Sequence, residues 1–489
     1  MKAGVIEGPY YNLKSLNFVS PCLAPRHGIW EEHGEAVLPT VRNIDDLHFG
    51  GQNDVTGTMG SHKPTDVDGL VAQVKAATVR FGHVHLVGWK SDFSKAFKQV
   101  PSAPCQVEDF VICQYDPINK CVAYFKTFSQ LFGGKSAPLN FSRFPEWKAE
   151  ILASLWAIPS TSCVDDVIAI ERMWTADTAR DAWFCLTNST GWLISLEKSP
   201  APSRRFIVIG VCLDLRPWPR SDPLVSVTEK RLESLDAIIR KILVAKDFGS
   251  GHASSLAGKL GFTITAAFGR VGRAKLRPII NRAYSRARDV DLRIGSCLLW
   301  WLRLFASYRP RPVPASLECL PTIISYSDGE GKFAGVGAAA WVPWLEHPIA
   351  VFGEVPTEIR KMWAKLAGVV DYKDIFLVEA IGPILLLCTF PRVMKNALWI
   401  HYIDNESAES SLISGTSSLP SADHIVGLTW EICAKRSLMP YFDRVESKAN
   451  PVDGLSRGVM TGSWREVAKA NFPTAELKAL AADCNLASF

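Results

Sequence analysis

Ser162-Cys163-Val164-Asp165-Asp166-Val167-Ile168-Ala169-Ile170 sets two adjacent aspartates between short runs that contain β-branched residues. The pattern predicts a β-hairpin with acid at its tip. Aspartate is a common turn residue, so a plain turn is the alternative reading. Two like charges side by side repel, however, and a neutral turn more often uses Asn-Gly or Asp-Gly. A bound divalent cation would remove that penalty and invert the local electrostatics. Asp45-Asp46 in the same chain lacks flanking β-runs and is assigned no metal role. Upstream, Val84–Val87 is largely apolar and reads as extended, and the stretch from Lys90 to Pro101 follows it. Asp92 therefore sits where a strand gives way to a turn or helix, where an isolated aspartate reads as an N-cap.

The 489 residues around this hairpin suggest two to four domains. Hydrophobic residues make up 47% and charged residues 21%, which excludes a mostly disordered protein. The net charge of +5 neither demands nor excludes a nucleic-acid partner, so the position of the charge has to decide. Twelve cysteines contain no C-x-x-C pair and read as reduced thiols. Ser296–Ser307 is too short to span a membrane, and Ile375–Phe390 carries Glu379 near its start. The expectation is a soluble intracellular protein, cytoplasmic or nuclear, with no membrane partner. Arg309-Pro310-Arg311-Pro312-Val313-Pro314 reads as a stiff, basic linker. Beyond it, strands are predicted over Thr322–Ser327, Ala334–Val342, Ile349–Glu354 and Ala397–Ile403, interleaved with helices.

Asp92 with Phe97 five residues on, then Leu131–Pro138, then Cys163-Val164-Asp165-Asp166, resembles the palm of reverse transcriptases. Gly191–Ser199 and Phe206–Gly210 are similar to that family's following motifs, with order and spacing agreeing over roughly 170 residues. Thr228–Ala245 resembles the helix on the thumb side, and Ser255–Ile280, with Ala257-Gly258-Lys259-Leu260, is similar to the tyrosine-recombinase (DIRS-like) retroelement group. The resemblance implies Asp92 and Asp165 as metal ligands, with Asp166 as ligand or support. It implies Phe97 as a steric gate against a 2′-hydroxyl, Phe132 and Gly133 lining the nucleotide site, and Lys198 as proton donor to pyrophosphate. It also implies Arg42 as a triphosphate-gripping arginine, as guanidinium geometry suits. Two departures bear on primer placement and fidelity: Cys163 stands where an aromatic residue is usual, and Gln130-Leu131-Phe132-Gly133 replaces a Leu-Pro-Phe-Gly or Leu-Pro-Gln-Gly run.

Downstream, Asp328 ends a predicted strand, Glu379 lies in an otherwise apolar helix, Asp404 ends another strand, and Asp453 opens a short helix. Singly, each reads as a cap or a tolerated acid. In this order they resemble ribonuclease H, the usual partner domain of a retroelement polymerase. The interval of 51 residues between Asp328 and Glu379 is long for the family, and an inserted helix is expected within Pro356–Asp374. No match is found for the catalytic-loop histidine of some relatives.

The fold expected is α/β and α+β multidomain: a right-hand polymerase followed by a ribonuclease H-like α/β domain. Fingers and palm would occupy 1–220, a basic thumb and connection 221–315, the nuclease 316–460, and a C-terminal tail 461–489. Arg270 to Arg311 holds eleven Lys and Arg against two Asp, a local balance of +9. That stretch favours a surface for nucleic-acid backbone, with Arg270, Arg273, Lys275, Arg277 and Arg282 as its contacts, over a merely solvated face. The expected activity is RNA-directed DNA synthesis with removal of RNA from the hybrid, two Mg2+ at each site and Mn2+ as substitute. Partners would be an RNA template, a DNA primer, an RNA–DNA hybrid and deoxynucleoside triphosphates. The rivals are a non-catalytic, domesticated nucleic-acid-binding protein and a chain in which the nuclease alone works. All seven core acids are present, where a drifting relic would be expected to have lost one.

Overall fold

The computed structural model describes residues 5–31, 40–58, 60–61, 64–267, 269–315, 320–367, 374–460, 464 and 466–478. The chain divides into two units, Met1–Pro223 and Leu224–Phe489. The first runs β1 (Ile6–Tyr10), β2 (Leu23–Glu31), β3 (Thr40–Asp45), α1 (Gln52–Val55), α2 (Val67–Phe81), β4 (Leu86–Asp92), β5 (Val111–Asp116) and β6 (Cys121–Thr127). It continues through α3 (Ala137–Trp156), β7 (Ser160–Cys163), β8 (Asp166–Arg172), α4 (Ala176–Ser189), β9 (Arg205–Val208) and β10 (Val211–Asp214).

Five strands form one sheet in the order β1-β6-β5-β2-β3, and three form a second in the order β4-β8-β7. In the second sheet β4 is buried on both faces from Leu86 to Trp89 and β8 from Val167 to Glu171. Val87 and Trp89 of β4 and Val167 and Ala169 of β8 bury one face against Phe141 and Leu152 of α3 and Ala179 and Trp183 of α4. The predicted hairpin is there: Cys163 pairs with Asp166 across β7 and β8, leaving Val164 and Asp165 at the turn. Val164 takes a left-handed conformation (φ 57°), which a β-branched residue rarely adopts.

The second unit starts with β11 (Leu224–Val227) and the helices α5 (Glu229–Ala245), α6 (Ser250–Ala267), α7 (Arg273–Ala283) and α8 (Leu292–Ala306). Next come β12 (Arg311–Pro312), β13 (Thr322–Gly329), β14 (Gly335–Trp341), β15 (Ile349–Glu354), α9 (Thr357–Ala367), α10 (Ile375–Ala380) and α11 (Gly382–Thr389). The last elements are β16 (Ala397–Ile403), α12 (Glu406–Ser414), α13 (Pro420–Lys435), β17 (Leu438–Arg444), α14 (Asp453–Ser456) and β18 (Glu466–Lys469). A six-stranded sheet takes the order β17-β16-β13-β14-β15-β18. β13, β14 and β15 are antiparallel, while β16 lies parallel to both β13 and β17.

Several expectations are refined. The segment expected as a linker is extended, but it lies inside the second unit, where Arg311 pairs with Val225 and Pro312 with Leu224. β18, in the stretch expected as a tail, pairs in parallel with β15 as the edge strand. The inserted helix is α9, and residues 368–373 of that segment lie outside the described residues. The apolar helix carrying Glu379 is two helices, because Gly382-Pro383 interrupts it and Pro383 cannot donate a backbone hydrogen bond to the preceding turn.

Candidate active site

In the second unit, parallel pairing sets Ser327 beside Ile403, so the following Asp328 and Asp404 emerge together at one end of β13 and β16. α10 lays Glu379 against that end. One carboxylate oxygen from each of Asp328, Glu379 and Asp404 lies within 4.8 Å of the other two. Among the described residues this is the only group of three His, Cys, Asp or Glu side chains drawn that close. Burial pushes the Asp328 carboxyl up to about 7, with the charges of Asp404 and Asp453 adding to it. Burial, with Asp404 and Asp328 behind it, pushes Glu379 up to about 9. Asp328 Oδ2, Glu379 Oε2 and Asp404 Oδ1 are buried with no hydrogen-bond partner. Orphaned buried acceptors of this kind are costly, and a hard divalent cation with oxygen ligands fits them.

Asp453, the expected fourth ligand, does not join the three. Arg457, the residue just past α14, takes its carboxylate in two contacts of 2.6 and 2.8 Å. Beneath the acids, His401 joins the two strands: Ser325 Oγ lies 2.7 Å from its Nδ1 and Ser327 Oγ 3.0 Å from its Nε2. Trp399 Nε1 donates to Ser325 Oγ at 2.7 Å. Full burial pushes His401 down to about 3, so the ring is neutral. A polar residue inside an otherwise apolar strand was the sequence signal for this network, and sequence reasoning passed over it.

In the first unit, antiparallel pairing puts Asp92 opposite Asp166, with Asp165 on the adjoining turn. Burial raises the carboxyls of both Asp92 and Asp166, opposed at Asp92 by Lys198 and at Asp166 by Lys90. Lys198 Nζ lies 3.5 Å from Asp92 Oδ2. These three acids share one end of the sheet but do not draw as close as the trio of the second unit. Phe97 follows in a single 3-10 turn, its ring 5.9 Å from that of Phe132 and 5.5 Å from that of Phe141. Gly133 has φ 104°, and a Cβ there would stand 2.8 Å from the Asp45 carbonyl oxygen, so only glycine lets this loop meet β3. Arg42 is exposed on the same strand. Asp45 has a structural partner, Arg26, at 2.7 and 3.1 Å.

Within the basic stretch Arg282 is buried, Arg286, Arg288, Arg303, Arg309 and Arg311 are exposed, and the remaining basic side chains are half-buried. Arg282 is a correction to the expected surface: it is 5% exposed and reaches Asp291 at 2.8 Å and Asp289 at 3.6 Å. Arg273 donates to the Ser414 carbonyl at 3.1 Å, and Arg270 packs against Gly415. Lys275 and Arg277 act on the charges of Glu431 and Asp423 in α13.

No family model and no curated protein matches the chain. Solved structures of a foamy viral protease-reverse transcriptase are similar to it. The dRH form in complex with double-stranded DNA has a TM-score of 0.48 and 13% identity, with 90% of this chain and 67% of that one covered. The protease-reverse transcriptase with double-stranded DNA has a TM-score of 0.45 and 13% identity, covering 90% and 79%. The form with an RNA/DNA hybrid has a TM-score of 0.46 and 12% identity, covering 90% and 51%.

Proposed function

We propose that the chain is an RNA-directed DNA polymerase with ribonuclease H activity, of retroelement type. The observation that carries this reading is that each unit ends a sheet in clustered carboxylates, at Asp92, Asp165 and Asp166 in one and at Asp328, Glu379 and Asp404 in the other. Phosphoryl transfer is the chemistry that uses such clusters, since divalent cations, when bound, neutralise charge on the attacking and leaving oxygens. In the first unit the acids would hold the primer 3′-hydroxyl and nucleotide in line, Phe97 would pack under the incoming sugar, and Lys198 would supply a proton to pyrophosphate. In the second, the buried trio would position water against an RNA phosphate. Magnesium is the cation proposed for both.

A second reading, in which the nuclease alone works, is favoured by the tighter closure of the second cluster. Primer extension on an RNA template with magnesium, beside release of labelled RNA from a hybrid, separates the two. Asp165→Asn should abolish extension and spare cleavage, and Asp404→Asn should do the reverse. Folded wild-type protein that did neither would leave nucleic-acid binding as the better account.

A further inference from the structure

The face of β4 and β8 that carries the first acid cluster is arranged in rows. Asp92 stands opposite Asp166, Lys90 opposite Ile168, and Gly88 opposite Ile170. Residues two apart on a strand share a face and lie about 7 Å apart, so Lys90 is on the acid side. Val87 and Trp89 point the other way, into the core. The third row is closed by the segment leading into β9 and by β9 itself. Gly88 and Ser203 exchange backbone hydrogen bonds of 2.9 Å in each direction, and a Cβ at Gly88 would stand 2.1 Å from the Phe206 ring. Lys90 is therefore the side chain between the acids and the β9–β10 hairpin.

Its surroundings leave its charge available. Lys90 is half-buried, and among the described residues its ammonium has neither a hydrogen-bond nor an ion-pair partner. Any polyanion approaching the acids would be repelled unless a cation stood beside them. One row of the sheet is also comparable to the separation of successive phosphates along a nucleic-acid strand.

We propose that Lys90 is a primer-binding residue, gripping the backbone phosphate next to the primer 3′ end, one row from the acids that hold that end. The proposal rests on the polymerase reading of this site. A lysine suits it, being a compact charge that recognises phosphate without regard to base.

The test is equilibrium binding of a labelled DNA primer on an RNA template to the full chain, in calcium to prevent turnover, across a series of salt concentrations. Lys90→Gln and Lys90→Met should each weaken binding about five- to tenfold and reduce the salt slope by about 1, and Lys90→Arg should restore both. In extension assays, KM for primer–template should rise in the same proportion, without a matching rise in KM for nucleotide. Unchanged affinity and slope in a folded variant would overturn the proposal, as would an effect on nucleotide KM alone. Wild-type protein that binds primer–template but never extends it would sink the polymerase reading, while the slope still decides what Lys90 grips. Wild-type protein that does not bind primer–template would overturn both.

Discussion

Glu379→Gln removes the most strongly perturbed carboxyl of the buried trio, and its effect on stability can be worked from the site. Burial holds Glu379 protonated to about pH 9, against an ordinary value of 4.5. Between pH 7 and pH 9 the unfolded chain has already lost this proton while the folded chain keeps it. The folded state thus binds more protons, and stability falls as pH rises, by about 1.4 kcal/mol per unit for one group. Two units cost the metal-free protein about 2–3 kcal/mol, or roughly 5–10 °C in melting midpoint for a domain of roughly 250 residues. Asp328 titrates mainly below this window, with its carboxyl at about 7. His401, held down to about 3 against an ordinary 6.5, loses stability only as pH falls below 6.5. The assay is thermal denaturation of wild type and Glu379→Gln in chelated buffer at pH 7, 8 and 9, with and without added magnesium. The wild-type midpoint should fall with pH and recover on adding magnesium, which favours the ionised carboxylate. The variant should lack this dependence and melt higher than wild type at pH 9. A wild-type midpoint flat from pH 7 to 9, or a variant that follows wild type, would refute the reasoning.

Lys148 of α3 is fully buried, with its Nζ 4.4 Å from the Trp192 ring centre, no hydrogen-bond partner, and a pKa pushed down by burial to about 8. Lys148→Met should raise stability at pH 7 by about 1–3 kcal/mol in urea unfolding, the cation–π contact offsetting part of the charge burial. The stability gap between Lys148→Met and wild type should also narrow as pH rises above about 8, where the folded wild type has shed the buried charge. Val164→Asn relieves a left-handed valine in the acid hairpin (φ 57°) and should stabilise the protein by roughly 1 kcal/mol, read from urea midpoints. Arg282→Met leaves Asp291 its N-cap bond from Ile294 N–H and should cost only about 1 kcal/mol, measured the same way, without altering the salt slope of hybrid binding.

The strands of the second unit were legible because each is a short apolar run closed by an acid or a turn, and Ile349–Glu354 and Ala397–Ile403 have the expected ends. α13 begins at Pro420, because proline is well placed in a first helical turn where no backbone donor is needed. Asp328, Glu379 and Asp404 were legible as types at strand and helix ends. The pairing of Asp453 with Arg457 was not, since an arginine four residues on is equally compatible with an exposed ion pair or a free one. Lys90 was missed although its signal was plain: it stands two residues before Asp92 on the same strand, and alternation alone puts both on one face. Lys148 carried no comparable signal, because nothing in its neighbours' identities requires a lysine to point inward.

A sequence segment's net charge is a sum over side chains that need not face the same way, and Arg270 to Arg311 shows how far the two can part. Its +9 already counts Asp289 and Asp291, the partners of Arg282; beyond the segment Asp247 faces Arg288 and Asp423 and Glu431 face Arg277 and Lys275, while Arg286, Arg303, Arg309 and Arg311 are exposed. A long-range salt slope counts only charges that exchange counterions for phosphates, and a guanidinium already buried against carboxylates has no counterions to release. Neutralising Arg273, Arg277 and Arg282 together should therefore lower the thermal midpoint well before it changes the slope for hybrid binding. Lys90 presents the opposite case. It is one charge in a mildly charged stretch, invisible to any window average, yet the pleat of β4 aims it into the face that holds Asp92 and Asp166. If slopes follow the segment's charge and ignore Lys90, the argument from strand faces is wrong; if they follow Lys90, alternation along one strand locates the nucleic-acid contact better than charge counting over forty residues.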